Sequence, residues 1–317
     1  MGNLPKTRFD AGYPFKVCGV DYGGPFIIKN RYGRGSKTSK CYMALFVCFA
    51  VKAVHIELVS DLSTDTFSLA LKRFISRRGK PQQIYSDNGT NFVGANHELQ
   101  ALSKFLISNQ NKILELCSSE NINWHFIPAH SPHFGGLWEA GIKSSKNHLK
   151  RVVGNNILTF EELSTVFAQI EAILNSRPLS PLSSDPNDEN PLTPAHFLIG
   201  KPLIATPEPD ITDLPTGRLS RFQLLEQMRQ NFWRRWSKEY ISELQQRVKW
   251  KKTQRTLSQG SMVLVKEDNI NPLKWRLGRV LELHPGKDGI CRVASIRTAT
   301  GVIRRAFPKI CTLPIQD

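Results

Sequence analysis

The sequence FKVCGVD at residues 15–21 is an apolar run that ends on an aspartate, and the turn-forming residues YGGP follow at 22–25. Such a run predicts a buried strand with an acid at its end. Residues 29–40 are rich in Gly, Lys, Arg and Ser and predict a hairpin or loop, whereas residues 41–60 are rich in Val, Phe and Ile. We therefore expect three adjacent antiparallel strands at the start of the fold.

The hydrophobic period then changes. Ser63 or Thr64 is a helix cap, and Gly79 ends the helix that follows. Further helices are predicted over 96–119, 137–153 and 159–175, and further strands over 83–86 and 123–128. Three strands followed by helix, strand, helix, strand and helix predict an α/β fold, a mixed sheet flanked by helices.

The last third of the chain has a different organisation. Residues 177–215 are rich in Pro, Ser and Asp and predict an extended connector, and residues 218–252 have an aromatic and basic helical pattern. From residue 260 onward, about five short strand-like segments separated by turns predict a small β-barrel. The predicted domains are an N-terminal linker remnant at 1–12, a core at 13–178, a connector at 179–217, a basic aromatic helical segment at 218–256 and a small DNA-binding barrel at 257–317.

Charge is distributed unevenly along the chain. The net charge is +16, and the residues from 218 onward carry 21 basic and 8 acidic side chains, which is +13 of that total. The preceding 217 residues are nearly neutral. This distribution predicts a polyanion-binding module attached to a nearly neutral globular one.

Composition argues against several classes of protein. The longest apolar run, at 43–51, is shorter than the roughly 20 residues that span a bilayer, and the N-terminus has no apolar signal region. We expect no membrane partner. The six cysteines lie far apart without a CxxC pair, so we expect reduced core thiols in an intracellular protein.

Three acidic residues stand where acids are costly. Asp21 and Asp87 each end a predicted strand, and Glu139 lies in the first turn of a predicted helix. Taken singly, a strand-end Asp is an ordinary turn residue, and a Glu in a first helical turn is favoured by the helix dipole. Taken together, carboxylates that cluster at the edge of a sheet repel one another unless divalent cations compensate their charge.

The donor type indicates which cations these acids hold. Oxygen ligands alone suit Mg²⁺ or Mn²⁺, and two such ions roughly 3.5–4 Å apart are a known arrangement for phosphodiester chemistry. We therefore predict a two-metal phosphoryl-transfer site in which Asp21, Asp87 and Glu139 are the catalytic residues and metal ligands. Asp21 would bridge the two ions.

Three motifs carry a family resemblance. GVDYGGPF around Asp21, YSDNGTNFVGA around Asp87 and HSPHFGGLWEAGIKSSK around Glu139 resemble the Asp, Asp, Glu motifs of retroviral and retrotransposon integrases. The third motif, the connector LNSRPLSPLSSDPND and the tail WRLGRVLELHPGKDGICRV are most similar to the Bel/Pao class of LTR retrotransposons. The resemblance spans essentially the whole chain. It implies an RNase H-like core that trims the 3′ ends of element DNA and joins them to target DNA with Mg²⁺.

The chain departs from that family in two respects. Asp87 and Glu139 are 52 positions apart, a longer gap than in the retroviral enzymes, and we expect the helical stretch at 96–119 to absorb it. Integrases also carry an N-terminal His-His-Cys-Cys zinc domain. Residues 1–9 resemble the linker that follows this domain, so we expect a partial integrase whose activity is impaired by truncation.

Four residues near the acids are candidates for DNA contact. Lys143 and Lys146 follow Glu139 by four and seven residues and share its helical face, and Lys150 extends the row. The resemblance gives lysines at these positions a role in holding the element's DNA end. Asn91 lies in the segment after Asp87. Surface lysines also serve solubility, and Asn is common in loops, so these ordinary interpretations stay open.

The C-terminal region has its own candidates. Trp233, Trp236 and Tyr240 share one helical face by spacing, and we interpret them as packing residues. The predicted barrel is SH3-like, and its basic residues are candidates for sequence-independent DNA binding. They are Lys274, Arg276, Arg279, Arg292, Arg297, Arg304 and Arg305. Recognition of a chromatin protein by the same barrel is an alternative.

The leading hypothesis is thus an integrase-type polynucleotidyl transferase that acts on DNA in the nucleus, after a cytoplasmic particle stage, as a homo-oligomer. The alternative is a catalytically inactive or domesticated integrase that retains DNA binding. A nuclease of RNase H type shares the three acids but leaves the basic barrel and the lysine row unexplained.

Overall fold

The computed structural model describes residues 12–33, 35–87, 108–119, 121–127, 146–154, 156–183, 185, 188, 190–204, 208–250, 257–267 and 270–313. The chain forms two compact units, one that ends at Leu174 and one that begins at Asn175. The elements of the first unit are β1 (Val17–Lys29), β2 (Thr38–Cys48), β3 (Val54–Val59), α1 (Thr64–Arg78), β4 (Gln83–Asp87), α2 (Gln110–Ser119), β5 (Asn123–Ile127), the helical residues 146–153 (α3), β6 (Leu158–Thr159) and α4 (Phe160–Asn175).

The first unit is built on a mixed sheet with the strand order β3-β2-β1-β4-β5. The first three strands of the chain pair antiparallel, whereas β1 with β4 and β4 with β5 pair parallel. The short β6 pairs parallel with the far end of β1. This arrangement confirms the predicted α/β fold class with a mixed sheet flanked by helices.

Local sequence signals set the ends of two helices. The side chain of Ser63 accepts a hydrogen bond from Thr66 N at 3.2 Å and caps α1, which ends at Gly79 with a positive φ of 89°. At α4, Glu162 N donates to Thr159 Oγ1 at 3.3 Å, and Thr159 N donates to Glu162 Oε2 at 2.8 Å. These two reciprocal bonds form a capping box and explain why α4 begins here, as the helix predicted over 159–175 requires.

Aromatic side chains fill the core between the sheet and α1. Phe74 of α1 stacks on Phe46 of β2 at 4.2 Å between ring centroids and meets Phe15 edge-on at 5.2 Å. All three rings are fully buried, and every residue of β3 is buried as well. Deep burial of the sheet fixes the strand register, because a slip of one residue turns every side chain to the opposite face.

The second unit contains β7 (Ser180–Pro181), β8 (Pro191–Leu192), α5 (Pro194–Ile199), α6 (Arg221–Trp250), β9 (Met262–Val265), β10 (Leu277–Pro285), β11 (Cys291–Thr298), β12 (Gly301–Ala306) and β13 (Ile310–Thr312). The last five strands form an antiparallel sheet in the order β12-β11-β10-β9-β13. This sheet confirms the predicted small β unit, and its core contains Val263, Val265, Val280, Ala294 and Ile296.

The predicted extended connector is more structured than the sequence suggested. The strands β7 and β8 pair within it, and α5 follows them. The short helix forms because Pro194 stands at its start, where its missing N–H costs nothing, and because Gly200 adopts the left-handed conformation that ends it.

Four aromatic residues form one cluster in the second unit. Trp233, Trp236 and Tyr240 of α6 lie 4.8, 6.0 and 5.5 Å from the Trp275 ring, centroid to centroid. Trp233 and Trp236 are each 5% exposed. Their interpretation as packing residues is confirmed.

The six cysteines are free thiols, and all except the half-buried Cys291 are buried. This agrees with the prediction of reduced core thiols.

Among the helices of the described ranges, none is both long and apolar enough to cross a bilayer.

Candidate functional site

Two of the three predicted catalytic acids occupy neighbouring positions on parallel strands. The pairing of β1 with β4 runs from Val17 opposite Gln83 to Val20 opposite Ser86. Asp21 and Asp87 are the next residue on each strand. The register therefore brings the two positions side by side at the carboxyl edge of the sheet, where α/β folds place their functional side chains.

The Asp21 carboxylate is held from two directions. The backbone N–H of Tyr22 donates to Oδ1 at 2.7 Å, and the Lys146 ammonium lies 2.5 Å from Oδ2. Asp21 is 25% exposed and Lys146 is 22% exposed. The carboxylate is thus partly open to solvent and has one cationic partner among the described residues.

A glycine lies beside this ion pair. A Cβ at Gly23 would lie 3.4 Å from Cγ and Cε of Lys146 and 2.9 Å from Cε of Met43. The stem of Lys146 therefore crosses β1 where no side chain stands. The spacing from Glu139 predicted a DNA-facing Lys146, whereas this geometry gives Lys146 a partner inside the site.

Of the remaining residues predicted at or near the acids, the structure describes the side chain of Lys150 only. Lys150 lies one turn after Lys146 on α3 and is exposed. Asn91, Glu139 and Lys143 lie outside the described residues, as does the side chain of Asp87. Within the described part of the chain, the site consists of Asp21, Lys146, Gly23 and the backbone position of Asp87.

The donor set fits a hard divalent cation. The two neighbouring positions, Asp21 within β1 and Asp87 at the end of β4, offer only carboxylate oxygens, the ligands that Mg²⁺ and Mn²⁺ prefer. No group of three or more His, Cys, Asp or Glu side chains gathers in the described ranges, and Glu139 is outside them. The Lys146 ammonium competes for one of these oxygens, because a cation on Oδ2 would have to displace it.

The basic residues predicted on the barrel fall into different environments. Lys274 and Arg304 are exposed, whereas Arg276 and Arg305 each lie 3.5 Å from the Glu267 carboxylate. The exposed Arg292 pairs with Asp288 at 2.7 Å. Lys274 and Arg304 thus offer positive charge to solvent, and neither pairs with an acid among the described residues.

Arg279 has a structural environment. Its side chain is buried, and its guanidinium donates to the carbonyl oxygens of Asp188 at 2.9 Å and Gly260 at 3.2 Å. Arg279 therefore joins the segment near Asp188 to β10, and we leave it out of the proposed DNA contacts. No sequence pattern indicated this role, because the partners of Arg279 are backbone carbonyls.

A second charged cluster lies at β3, the edge strand of the first unit. His55 Nε2 lies 2.9 Å from Glu57 Oε1, and Arg73 Nε donates to Glu57 Oε2 at 2.6 Å. Glu171 of α4 accepts a hydrogen bond from Ile56 N at 2.8 Å and pairs with Arg78. The cluster satisfies an edge-strand amide and ties β3 to α1 and α4.

These contacts shift two pKa values. Burial disfavours the charged form of His55, but its bonds to Glu171 and Glu57 outweigh burial and raise its pKa. Burial acts against the Glu57 carboxylate in the same way, and the bonds from His55 and Arg73 outweigh it and lower the pKa of Glu57. Both groups are therefore held in their charged forms over a wider pH range.

One family model matches part of the chain. Residues 220–313, which contain α6 and the five-stranded sheet, match a family of unknown function, DUF5641. No curated protein matches the chain.

Two solved structures are similar to the chain. One is a simian T-cell lymphotropic virus intasome in complex with the PP2A regulatory subunit B56 gamma, at 14% identity and a TM-score of 0.37, over 96% of this chain and 81% of that one. The other is the catalytic core domain of BIV integrase, at 14% identity and a TM-score of 0.35, over 59% of this chain and 95% of that one. Likenesses this distant do not assign an activity to the chain.

Proposed function

We propose that the chain is an integrase-type polynucleotidyl transferase of a Bel/Pao LTR retrotransposon. It processes the 3′ ends of element DNA and joins them to target DNA. The observation that carries the proposal is the register of β1 with β4, because it makes Asp21 and Asp87 neighbours at the carboxyl edge of a mixed sheet. Neighbouring carboxylates with few basic partners are costly unless they serve a cation.

The chemistry requires an oxygen-lined site. Two Mg²⁺ or Mn²⁺ ions, when bound, activate the attacking oxygen and stabilise the leaving oxygen of a phosphodiester. Asp21, Asp87 and Glu139 are the proposed ligands. The N–H of Tyr22 orients the Asp21 carboxylate, since it holds Oδ1 and leaves Oδ2 as the exchangeable oxygen.

Lys146 has two roles in this proposal. In the DNA-free chain its ammonium neutralises Asp21. When a cation takes Oδ2, the ammonium is released, and a DNA phosphate is a suitable new partner for it. Lys150 continues the basic row on α3, and Asn91 and Lys143 are proposed contacts in the undescribed segments.

The second unit supplies backbone contacts. Lys274 and Arg304 are the best placed candidates, because both are exposed and neither pairs with an acid among the described residues. Arg276 and Arg305 can add to them if phosphate displaces Glu267. Contacts of this kind bind DNA of any sequence and weaken with salt.

The remaining expectations follow from the same activity. The protein would act on DNA in the nucleus as a homo-oligomer, after an intracellular particle stage. A chromatin protein is a proposed additional partner of the five-stranded sheet.

One observation favours a second candidate. The ion pair between Lys146 and Asp21 neutralises a proposed metal ligand, as it would permanently in an integrase-derived protein that binds DNA without chemistry. The two candidates differ in whether Mn²⁺ displaces Lys146 from Asp21.

Strand transfer or disintegration on labelled oligonucleotides tests the proposal. The chain should give product with Mg²⁺ or Mn²⁺ and none with EDTA, and Glu139→Gln should lower the rate by about 100-fold or more. Product that survives Glu139→Gln at the full rate would refute the assigned site. A chain that binds the oligonucleotide and never forms product would support the second candidate.

A further inference from the structure

The hairpin that joins β1 to β2 is strongly basic. No acidic residue occurs from residue 22 to residue 56, a span with six basic residues. Five of them belong to residues 29–40, which we call the basic hairpin: Lys29, Arg31, Arg34, Lys37 and Lys40. Arg34 lies outside the described residues. The charge is concentrated here: residues 1–174 carry 20 basic and 13 acidic side chains, whereas the basic hairpin carries five basic and no acidic ones.

The described residues of the basic hairpin are hydrogen-bonded at its base and largely open to solvent. Asn30 N donates to Lys37 O at 3.1 Å and closes the turn. Arg31, Lys37 and Lys40 are exposed, and no ion pair between described residues includes them. Uncompensated charges on a hydrogen-bonded hairpin repel one another, so a polyanion that neutralises them is favoured.

An aromatic residue stands among these charges. Tyr32 is 57% exposed, and the Lys29 ammonium lies 5.0 Å from the centre of its ring. An exposed tyrosine hydroxyl beside lysines and arginines is one of the side-chain types that contact nucleic-acid backbones. The hairpin therefore matches a phosphate-binding surface both in its charge and in its exposed tyrosine.

The hairpin projects from the edge of the sheet that carries the acids. Lys29 is eight residues beyond Asp21 on β1, whereas β4 ends at Asp87. At about 3.3 Å per residue, the hairpin begins roughly 26 Å from Asp21 along the strand. At about 3.4 Å per base pair, this equals roughly 8 base pairs of duplex.

We propose that the basic hairpin is a second DNA-backbone site in the first unit. It binds phosphates about 8 base pairs from the phosphodiester that reacts at Asp21. The position of the contact rests on the proposed function, whereas the binding itself does not. An anionic membrane surface is the competing ligand for such a hairpin, but the exposed tyrosine among hydrogen-bonding bases favours nucleic acid.

Matched charge variants of the full chain test the binding. The hairpin variant carries Arg31→Gln, Lys37→Gln and Lys40→Gln, and the control carries Lys72→Gln, Lys112→Gln and Lys201→Gln, which are exposed and elsewhere. Both lose the same net charge. With a duplex of about 30 bp at several salt concentrations, the hairpin variant should bind more than about tenfold more weakly, and the magnitude of its salt slope should fall by about 2 to 3.

Several outcomes would overturn the proposal. The control should keep the wild-type slope within about 1, so equal losses in the two variants would reduce the effect to net charge. Binding to phosphatidylserine and phosphatidylcholine vesicles is the second arm. A hairpin variant that loses vesicle binding and keeps DNA binding would assign the surface to membranes. A variant with Arg31→Lys, Lys37→Arg and Lys40→Arg should bind DNA like the wild type.

Neutral phosphates test the position. A methylphosphonate about 8 base pairs from the reacting end should weaken binding of the wild type and leave the hairpin variant unchanged. A penalty confined to other positions would contradict the placement. A chain without transferase activity that still shows the hairpin-dependent salt slope would refute the proposed function and leave the DNA-binding hairpin standing.

Discussion

At the scale of single residues, Asp21 is shared between two kinds of partner. One oxygen is fixed by the N–H of Tyr22, and the other faces the ammonium of Lys146. An ion pair that is about a quarter exposed is worth little, on the order of 1 kcal/mol or less, because water screens it. A divalent cation with additional carboxylate ligands can therefore displace it.

The first prediction concerns Lys146. Lys146→Gln removes the competing ammonium, so the DNA-free chain should bind Mn²⁺ about two- to fivefold more tightly, as measured by the electron paramagnetic resonance of free Mn²⁺. Lys150→Gln is the control, since Lys150 is exposed and lies one turn further along the same helix. Unchanged Mn²⁺ affinity in Lys146→Gln would show that no cation competes for Asp21.

The second prediction concerns His55. Its raised pKa stabilises the fold below its unfolded pKa of about 6.5, and this contribution is lost as pH rises through the higher folded pKa. The free energy of unfolding should therefore fall as pH rises through the neutral range in the wild type. His55→Gln should be less stable at low pH and should lack this decline. Denaturant unfolding at several pH values measures both, and a parallel pH profile in the variant would contradict the assignment.

At the scale of elements, local signals determined what the sequence could predict. The ends of α1 and the start of α4 were predictable because Ser63, Gly79 and Thr159 act within a few residues of themselves. The position of Asp87 at the end of β4 was predictable for the same reason, but the prediction that Asp21 ends its strand was wrong, because β1 continues through the glycines that follow it to Lys29. The pairing of Lys146 with Asp21 was not, because it depends on how closely α3 approaches β1, which no local pattern encodes.

The third prediction concerns β10 in the second unit. A Cβ at Gly278 would lie 2.4 Å from Arg297 O and 2.5 Å from Ile296 Cγ2 on the neighbouring strand. Gly278→Ala should therefore destabilise this unit by about 1–3 kcal/mol, as overpacking does. Gly217→Ala is the control, because nothing lies within 4 Å of a Cβ there. Thermal unfolding compares the two variants, and equal melting temperatures would contradict the packing of β10 on β11.

At the scale of the whole molecule, charge and chemistry are assigned to different stretches of the chain. The residues from 218 onward carry +13 of the net +16, whereas the proposed metal ligands lie in the nearly neutral remainder. A low net charge in the stretch that contains the acids favours the binding of divalent cations, and the basic residues favour the binding of a polyanion. Most of the positive charge that can bind DNA therefore lies outside the stretch that contains the proposed metal ligands.

The fourth prediction concerns the proposed binding of DNA by Lys274 and Arg304. The double variant Lys274→Gln and Arg304→Gln should weaken binding to unrelated DNA duplexes alike and lower the salt slope by about 2. Arg292→Gln should change binding less, because Asp288 already neutralises that arginine. Fluorescence anisotropy at several salt concentrations gives both quantities. A loss restricted to one DNA sequence would contradict backbone binding.

The strand-transfer rate of Asp21→Asn at saturating DNA tests the central claim most directly. The substitution keeps the shape of the side chain and removes the charge that a cation needs. We predict a loss of about 100-fold or more in rate with DNA affinity retained, while the exposed Asp213→Asn keeps the wild-type rate. An Asp21→Asn chain that transfers strands at the wild-type rate would contradict a catalytic site at the carboxyl edge of this sheet.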